Sequence, residues 1–264
     1  MLDIKNVSKT FNVGTVNENK VLDNVSLHLN EGDFVTVIGG NGAGKSTLLN
    51  LIAGVYMTDA GSLSIDGQDI THLKEHKRAP LIGRVFQDPL MGSAASMEIV
   101  ENLALARRRG KKRTLAWGVQ KSEIAFYKEQ LATLGLGLEN RLNDKVGLLS
   151  GGQRQALTLL MASLEKPKLL LLDEHTAALD PKTAARVLQL TDEIVSSNHL
   201  TTLMITHNMK DALKYGNRLI MMSNGHIVLD IDEEKKKQLT VKDLLTMFEQ
   251  VTGEEMADDK ALLS

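Results

Sequence analysis

Phe34-Val35-Thr36-Val37-Ile38-Gly39-Gly40-Asn41-Gly42-Ala43-Gly44-Lys45-Ser46-Thr47 is the stretch on which the fold turns. Its first five residues are apolar and largely β-branched, and the run is short, as a buried strand requires. The glycines that follow fit the pattern G-x-x-x-x-G-K-[ST]. Leu48, Leu49, Ile52 and Ala53 then recur at helical spacing and stop at Gly54. Strand, glycine loop and helix in that order make a concave site for an anion, because backbone N–H groups turn inward and the helix adds its positive end. Lys45 is expected to bridge the β- and γ-phosphates of a nucleotide, and the Ser46 hydroxyl to ligate Mg²⁺. A chance glycine-rich turn before Lys-Ser would lack the flanking strand and helix.

Outward from this loop, Val21–Leu29 alternates near period two and turns at Glu31-Gly32, and a further strand pair surrounds Asp66-Gly67. From about Leu90 to Leu164 the texture changes. Ala94–Arg109, Ser122–Leu134 and Gln153–Leu164 read as helices, so a helical subdomain at about 90–165 is expected as an insertion. Alternation then resumes with a strand at Leu169–Leu172, a helix near Thr183–Val195, a strand at Thr202–Thr206 and a short helix near Lys210–Tyr215. Arg218–Met222 and Ile227–Leu229 form a hairpin around Asn224-Gly225, and Val241–Val251 reads as one amphipathic helix before an acidic end. Such alternation implies a largely parallel sheet with ligands at the C-terminal ends of its strands.

Two further segments carry chemistry. Leu169–Leu172 runs into Asp173 and Glu174, two carboxylates that would be costly at the end of a central strand without a cation or water to meet. Asp173 is expected to hold Mg²⁺ through water and Glu174 to polarise the attacking water. Leu149-Ser150-Gly151-Gly152-Gln153 opens a helix with a hydroxyl and free N–H groups, a second anion site far from Lys45 in the chain. One nucleotide is not gripped by both ends of one chain, so Ser150 and Gly152 are read as holding the γ-phosphate of a nucleotide bound to a facing domain. Taken alone, the segment reads equally as an ordinary helix cap.

In order and spacing, Gly39–Thr47, Gln87, Leu149–Gln153, Leu169–Glu174, Ala178-Leu179-Asp180 and His207 resemble the motifs of ABC transporter nucleotide-binding domains, over about Met1 to Asp230. The resemblance implies an α/β fold: a P-loop NTPase core with a mostly parallel sheet, an N-terminal antiparallel β subdomain and an inserted α-helical subdomain. It places the nucleotide-binding domain at 1–235 and a C-terminal helical tail at 236–264. It implies an ATPase with ATP and Mg²⁺ as cofactors. Gly39, Asn41, Gly42, Ala43, Gly44, Lys45, Ser46 and Thr47 would cradle the phosphates, while Ser150, Gly151, Gly152 and Gln153 act on the partner's nucleotide. Ser46, Gln87 and Asp173 would serve the metal, Asp180 would stand between the two ATP sites, and Glu174, His207 and Lys45 would carry catalysis. Phe11 matches the position that stacks an aromatic ring on adenine, or equally fills a core position on the first hairpin. The implied partners are a second copy of the chain, transmembrane permease subunits and an extracytoplasmic substrate-binding protein. Gln87-Asp88-Pro89 through Glu101-Asn102-Leu103, with the tail Leu239–Leu245, is similar to importer ATPases of branched-chain-amino-acid-type systems. Amino-acid-like cargo is therefore expected. A departure from the family is His175, where many relatives carry proline; it is read as structural.

Bulk properties bound these expectations. The 264 residues carry a net charge of −2, so no global attraction to nucleic acid exists and no nucleic-acid partner is expected. There is no cysteine, which excludes disulfides and thiolate metal sites. No apolar stretch approaches the ~20 residues that span a bilayer, and the alternating N-terminus has no signal-peptide core. The expectation is a cytoplasmic chain, peripheral on the inner membrane face through its permeases. A soluble ABC protein of ribosomes or DNA would carry paired domains or coiled-coil insertions, and a regulatory module without turnover would not need Lys45, Asp173, Glu174 and His207 together. His72 and His76 stand four apart with no third zinc ligand in view, and read as surface histidines. The basic run Arg107–Arg113, with Trp117 nearby, reads as a solvated face or a contact for anionic lipid headgroups.

Overall fold

The computed structural model describes residues 1–111 and 118–252, which fold as two compact units. One joins Met1–Arg78 to the described residues from Leu200 onward; the other is the described part of Ala79–His199.

In the first unit, β1 (Leu2–Phe11) and β2 (Asn19–Leu29) pair antiparallel, with Leu2 opposite Leu29 and Ile4 opposite Leu27. Then come β3 (Phe34–Gly39), α1 (Lys45–Ala53), β4 (Ala60–Ile65), β5 (Gln68–Asp69) and the single turn α2 (Glu75–Arg78). β4 lies antiparallel on the other edge of β1, so alternate residues Leu2, Ile4, Leu63 and Ile65 are buried on one face. This is the N-terminal antiparallel sheet that the alternating sequence called for.

The second unit opens with β6 (Ile82–Val85) and continues through α3 (Ile99–Arg107), α4 (Ile124–Ala132), α5 (Gly151–Ser163), β7 (Leu169–Asp173) and α6 (Pro181–Asn198). β6 and β7 are parallel, with Val85 opposite Leu172. The helix expected from Ala94 begins only at Ile99. The reason is Asn102, whose side-chain amide ties Ala94 at both its N–H (2.8 Å) and its carbonyl (3.1 Å), while Glu98 and Glu101 form a reciprocal capping box.

The chain then returns to the first unit with β8 (Thr201–Ile205), α7 (Met209–Lys214), β9 (Arg218–Ser223), β10 (His226–Ile231), α8 (Glu233–Lys236) and α9 (Val241–Thr252). β3 lies between β8 and β9, parallel to both, and β10 closes antiparallel on β9. Every residue of β3 and β8 is buried, which explains why neither reads as alternating. Leu244, Leu245 and Phe248 of α9 join Ile38, Met209, Ala212 and Leu219 in one core, so the amphipathic tail helix is part of this unit.

Candidate active site

Gly39 ends β3 opposite Met222 of β9 and has φ 152°. A Cβ there would lie 2.2 Å from the Met222 carbonyl oxygen, so only glycine lets the chain leave the sheet at this point. The loop that follows is braced from outside: the Gly225 N–H donates to the Ala43 carbonyl at 3.2 Å, and the Ala43 N–H donates to Gly40 at 3.2 Å. α1 starts at Gly44 with no side-chain cap and no acidic residue in its first turn. Its leading N–H groups therefore meet no side-chain acceptor from the cap, as an anion site needs. Lys45 is 7% exposed and donates from Nζ to the carbonyls of Gly39 (2.7 Å) and Gly40 (3.0 Å). Ser46 is exposed beside it. The far end of α1 is held by the buried Arg78, whose guanidinium donates to Leu51 (2.7 Å) and Ile52 (2.8 Å) in the last turn. Phe11 at the end of β1 is half-buried and meets Tyr56 edge to face, ring centroids 5.2 Å apart. His207 is exposed between β8 and α7. Asn208, whose side chain caps α7, and Thr206, whose N–H donates to Val37, fix its neighbours.

In the second unit, Asp173 ends β7, and its carboxylate lies 3.4 Å from Arg84 Nη2 of β6. Glu174 takes up φ 45°, a left-handed conformation that non-glycine residues adopt at a cost, characteristic of functional turns. Ser150 is exposed and caps α5: its hydroxyl accepts from the Gln153 N–H at 3.3 Å, and the Gln153 side chain accepts from the Ser150 N–H at 3.2 Å. Gly151 is exposed, but Gly152 is buried, and a Cβ on it would lie 2.1 Å from Thr183 Cγ2 of α6. The second glycine is thus explained by helix packing, whatever it does for a ligand. Asp180 caps α6, accepting from the Thr183 N–H at 3.1 Å ahead of Pro181, and hydrogen bonds with the Thr183 side chain and then its N–H hold the carboxyl below the usual range. Gln87 is exposed just after β6.

Sequence reasoning missed two residues of this unit. Arg84 stands between Asp173 and the Phe86 ring, its guanidinium carbon 4.5 Å from the ring centroid. Gln155 is 0% exposed on α5 and donates from Nε2 to the Phe86 carbonyl at 3.1 Å. An arginine inside the apolar stretch Ile82–Phe86, and an amide on the buried face of α5, were the signals available.

The family model for the ABC transporter matches residues 22–177. The chain belongs to the ABC transporter family. It is 48% identical to the tyrosine transport ATP-binding protein of Clostridioides difficile over 249 residues, 94% of this chain and 99% of that one. It is 35% identical to the methionine import ATP-binding protein MetN 2 of Listeria monocytogenes, over 91% of this chain and 70% of that protein. Among solved structures it resembles the ADP conformation of MJ1267, an ATP-binding cassette of an ABC transporter, with TM-score 0.77 and 29% identity over 94% of this chain and 98% of that one. It also resembles the dimeric post-hydrolysis state of the cassette MJ0796 bound to ADP and Pi, with TM-score 0.75 and 29% identity over 88% and 99%. The chain is therefore an ATP-binding, ATP-hydrolysing ABC transporter subunit with the P-loop NTPase fold.

Within this ABC subunit the departure at His175 has a structural explanation. The ring is buried, and Nε2 lies 2.9 Å from Thr191 Oγ1. Thr191 spends its own proton on the Val187 carbonyl, so the imidazole is the donor and carries its proton on Nε2. Burial pushes its pKa down to about 4, which keeps it neutral. His72 lies in the turn before α2 and His76 within it, both exposed, so no single helix face joins them. In its described part the basic run is partly exposed, with Lys111 exposed and Arg107, Arg108 and Arg109 half-buried, and each of these cations also has a partner within the unit. Arg107 stacks on Phe126 at 4.3 Å, Arg108 pairs with Glu123 at 3.0 Å, Arg109 donates to the Ala162 carbonyl at 3.0 Å, and Lys111 pairs with Glu165 at 2.6 Å. Lys112, Arg113 and Trp117 lie outside the described residues, as does the acidic end of the tail.

Proposed function

We propose that this ABC subunit powers import of amino-acid-like cargo through separate membrane permease subunits, closing on a second copy of itself around Mg-ATP and reopening on hydrolysis. The observation that carries the reading is the match along 99% of the length of a tyrosine transport ATP-binding protein. In keeping with it, no helix among the described residues is long and apolar enough to cross a membrane. An extracytoplasmic substrate-binding protein delivers the cargo, and the chain sits peripherally on the inner membrane face. Residues 1–235 form the nucleotide-binding domain and 236–264 a C-terminal tail that contains α9.

The residues fit Mg²⁺. Ser46 of the first unit offers an exposed hydroxyl, and Gln87 and Asp173 of the second an exposed amide oxygen and a carboxylate, each the kind of hard oxygen Mg²⁺ takes. The metal supplies charge neutralisation at the phosphates. Lys45 replaces its two loop carbonyls with β- and γ-phosphate oxygens, and the N–H groups from Gly42 to Thr47 cradle the rest. Glu174 orients and deprotonates water, His207 donates to the γ-phosphate, Phe11 stacks on adenine, and Asp180 lines the passage between two sites. Ser150, Gly151 and Gln153 present the start of α5 to the partner's nucleotide. Affinity purification of the tagged chain from its native membranes tests the reading. Recovery of an integral membrane permease is expected, and recovery of ribosomes or nucleic acid without one would overturn it.

A further inference from the structure

Gln155 lies about one turn into α5, the helix whose first residues are proposed to meet the partner's nucleotide. Its amide is wholly buried. Nε2 donates to the carbonyl of Phe86, the residue before Gln87, but Oε1 has no hydrogen-bond partner among the described residues. A buried acceptor left unmatched is disfavoured, and a methionine of similar shape would avoid the penalty. One turn further, Thr158 donates to the Gln155 carbonyl at 2.9 Å, and its methyl lies 3.0 Å from where a Cβ on Gly92 would stand. The segment 86–92 is therefore seated on α5 at two successive turns, by a hydrogen bond at one end and close packing at the other. Arg84 extends the chain of contacts from the Phe86 ring to Asp173.

We propose that Gln155 is a positioning residue with two bonding states, which passes the occupancy of the Ser150–Gln153 segment to the loop carrying Gln87. In the open state Nε2 alone holds the Phe86 carbonyl. When α5 is drawn toward a partner's nucleotide, the unmatched Oε1 accepts a main-chain N–H of the same loop, and the loop is held at both edges of one amide. The two states differ by a hydrogen bond made or unmade inside a packed interior, so the response is a switch between two arrangements. The inference rests on the proposed closure of two subunits around ATP.

Hydrogen exchange of the 86–92 segment, measured in a Glu174→Gln background with and without Mg-ATP, tests it. With Gln155 in place, closure should slow exchange there by roughly tenfold or more, the effect of one additional protecting bond. Gln155→Met should keep ATP-dependent dimerisation, exchange faster without nucleotide, and lose the response. If Gln155→Met fails to fold, Gly92→Ala serves instead, since its new methyl lifts the loop off Thr158. Adding Thr158→Ser, which removes the opposing methyl, should restore the response. Ser150→Arg separates the two levels of inference. If that variant still closes with Mg-ATP, the reading of Ser150 fails. If closure is lost as expected but Gln155→Met and Gly92→Ala both respond like the parent, the switch fails on its own.

Discussion

Lys45 is a buried cation with two backbone acceptors, not the exposed phosphate ligand that its motif alone suggests. Replacing it by alanine removes the phosphate contact and also takes one donor from the carbonyls of Gly39 and Gly40, of which Gly40 keeps the Ala43 N–H. Lys45→Ala should lower ATP affinity by tenfold or more and also cost about 1–2 kcal/mol of stability, because the buried hydrogen bond to the Gly39 carbonyl is lost. Calorimetric titration and urea unfolding report the two effects separately, and affinity within about twofold of the parent would remove the phosphate assignment. Gly152 makes the opposite point. Its methyl would overlap Thr183 Cγ2, so Gly152→Ala should destabilise by about 1–3 kcal/mol through overpacking. Thr183→Ser should recover most of that loss in urea unfolding, whereas a glycine needed only for phosphate contact would show no rescue.

At the scale of elements, α8 is pinned by one side chain. Lys236 is buried and donates to the carbonyls of Tyr215 and Gly216 just after α7, and to Thr36 of β3. Burial pushes its pKa down from 10.5 to about 8. The folded chain therefore holds fewer protons than the unfolded chain between those two values. Stability should rise with pH through this window, by up to about 3 kcal/mol from this group, and its contribution should be flat below pH 8. Urea unfolding at pH 7, 8 and 9.5 checks the sign, with Lys236→Met as the control whose slope should be shallower. The basic run belongs to this scale too. Arg109 closes the last turn of α5 by donating to Ala162, a cation placed where a helix C-terminus favours one.

For the whole molecule, the decisive behaviour is closure. Glu174→Gln keeps side-chain size and removes the proposed base, so turnover should fall by ~10²–10⁴-fold. Loss of a negative charge near the γ-phosphate leaves bound ATP favoured, and the dimer should accumulate with Mg-ATP but not Mg-ADP. Size-exclusion chromatography over a range of protein concentrations reads this directly. Turnover close to that of the parent would transfer the base role elsewhere, with His207 first to be examined. Ser150→Arg should still bind ATP as a monomer and fail to close. A folded Ser150→Arg variant unable to bind nucleotide would show that the serine acts within its own chain.

The loop from Gly39 to Ser46, the strand ending in Asp173-Glu174 and the cap at Ser150 were legible in the sequence because each depends on neighbours a few residues away. Strand periodicity, glycine runs and cap residues are local properties, and local properties survive in a linear reading. Gln155, Arg84 and Arg78 were not legible, because their partners Phe86, Asp173 and Leu51 lie 27 to 89 residues away in the chain. His175 was read as structural from the sequence, but its partner Thr191 on α6 was not legible, nor were Phe126, Glu123 and Ala162 as partners of the half-buried arginines. A side chain's chemistry is written in the sequence. What it costs to bury, and which distant group repays that cost, is decided only when the chain folds.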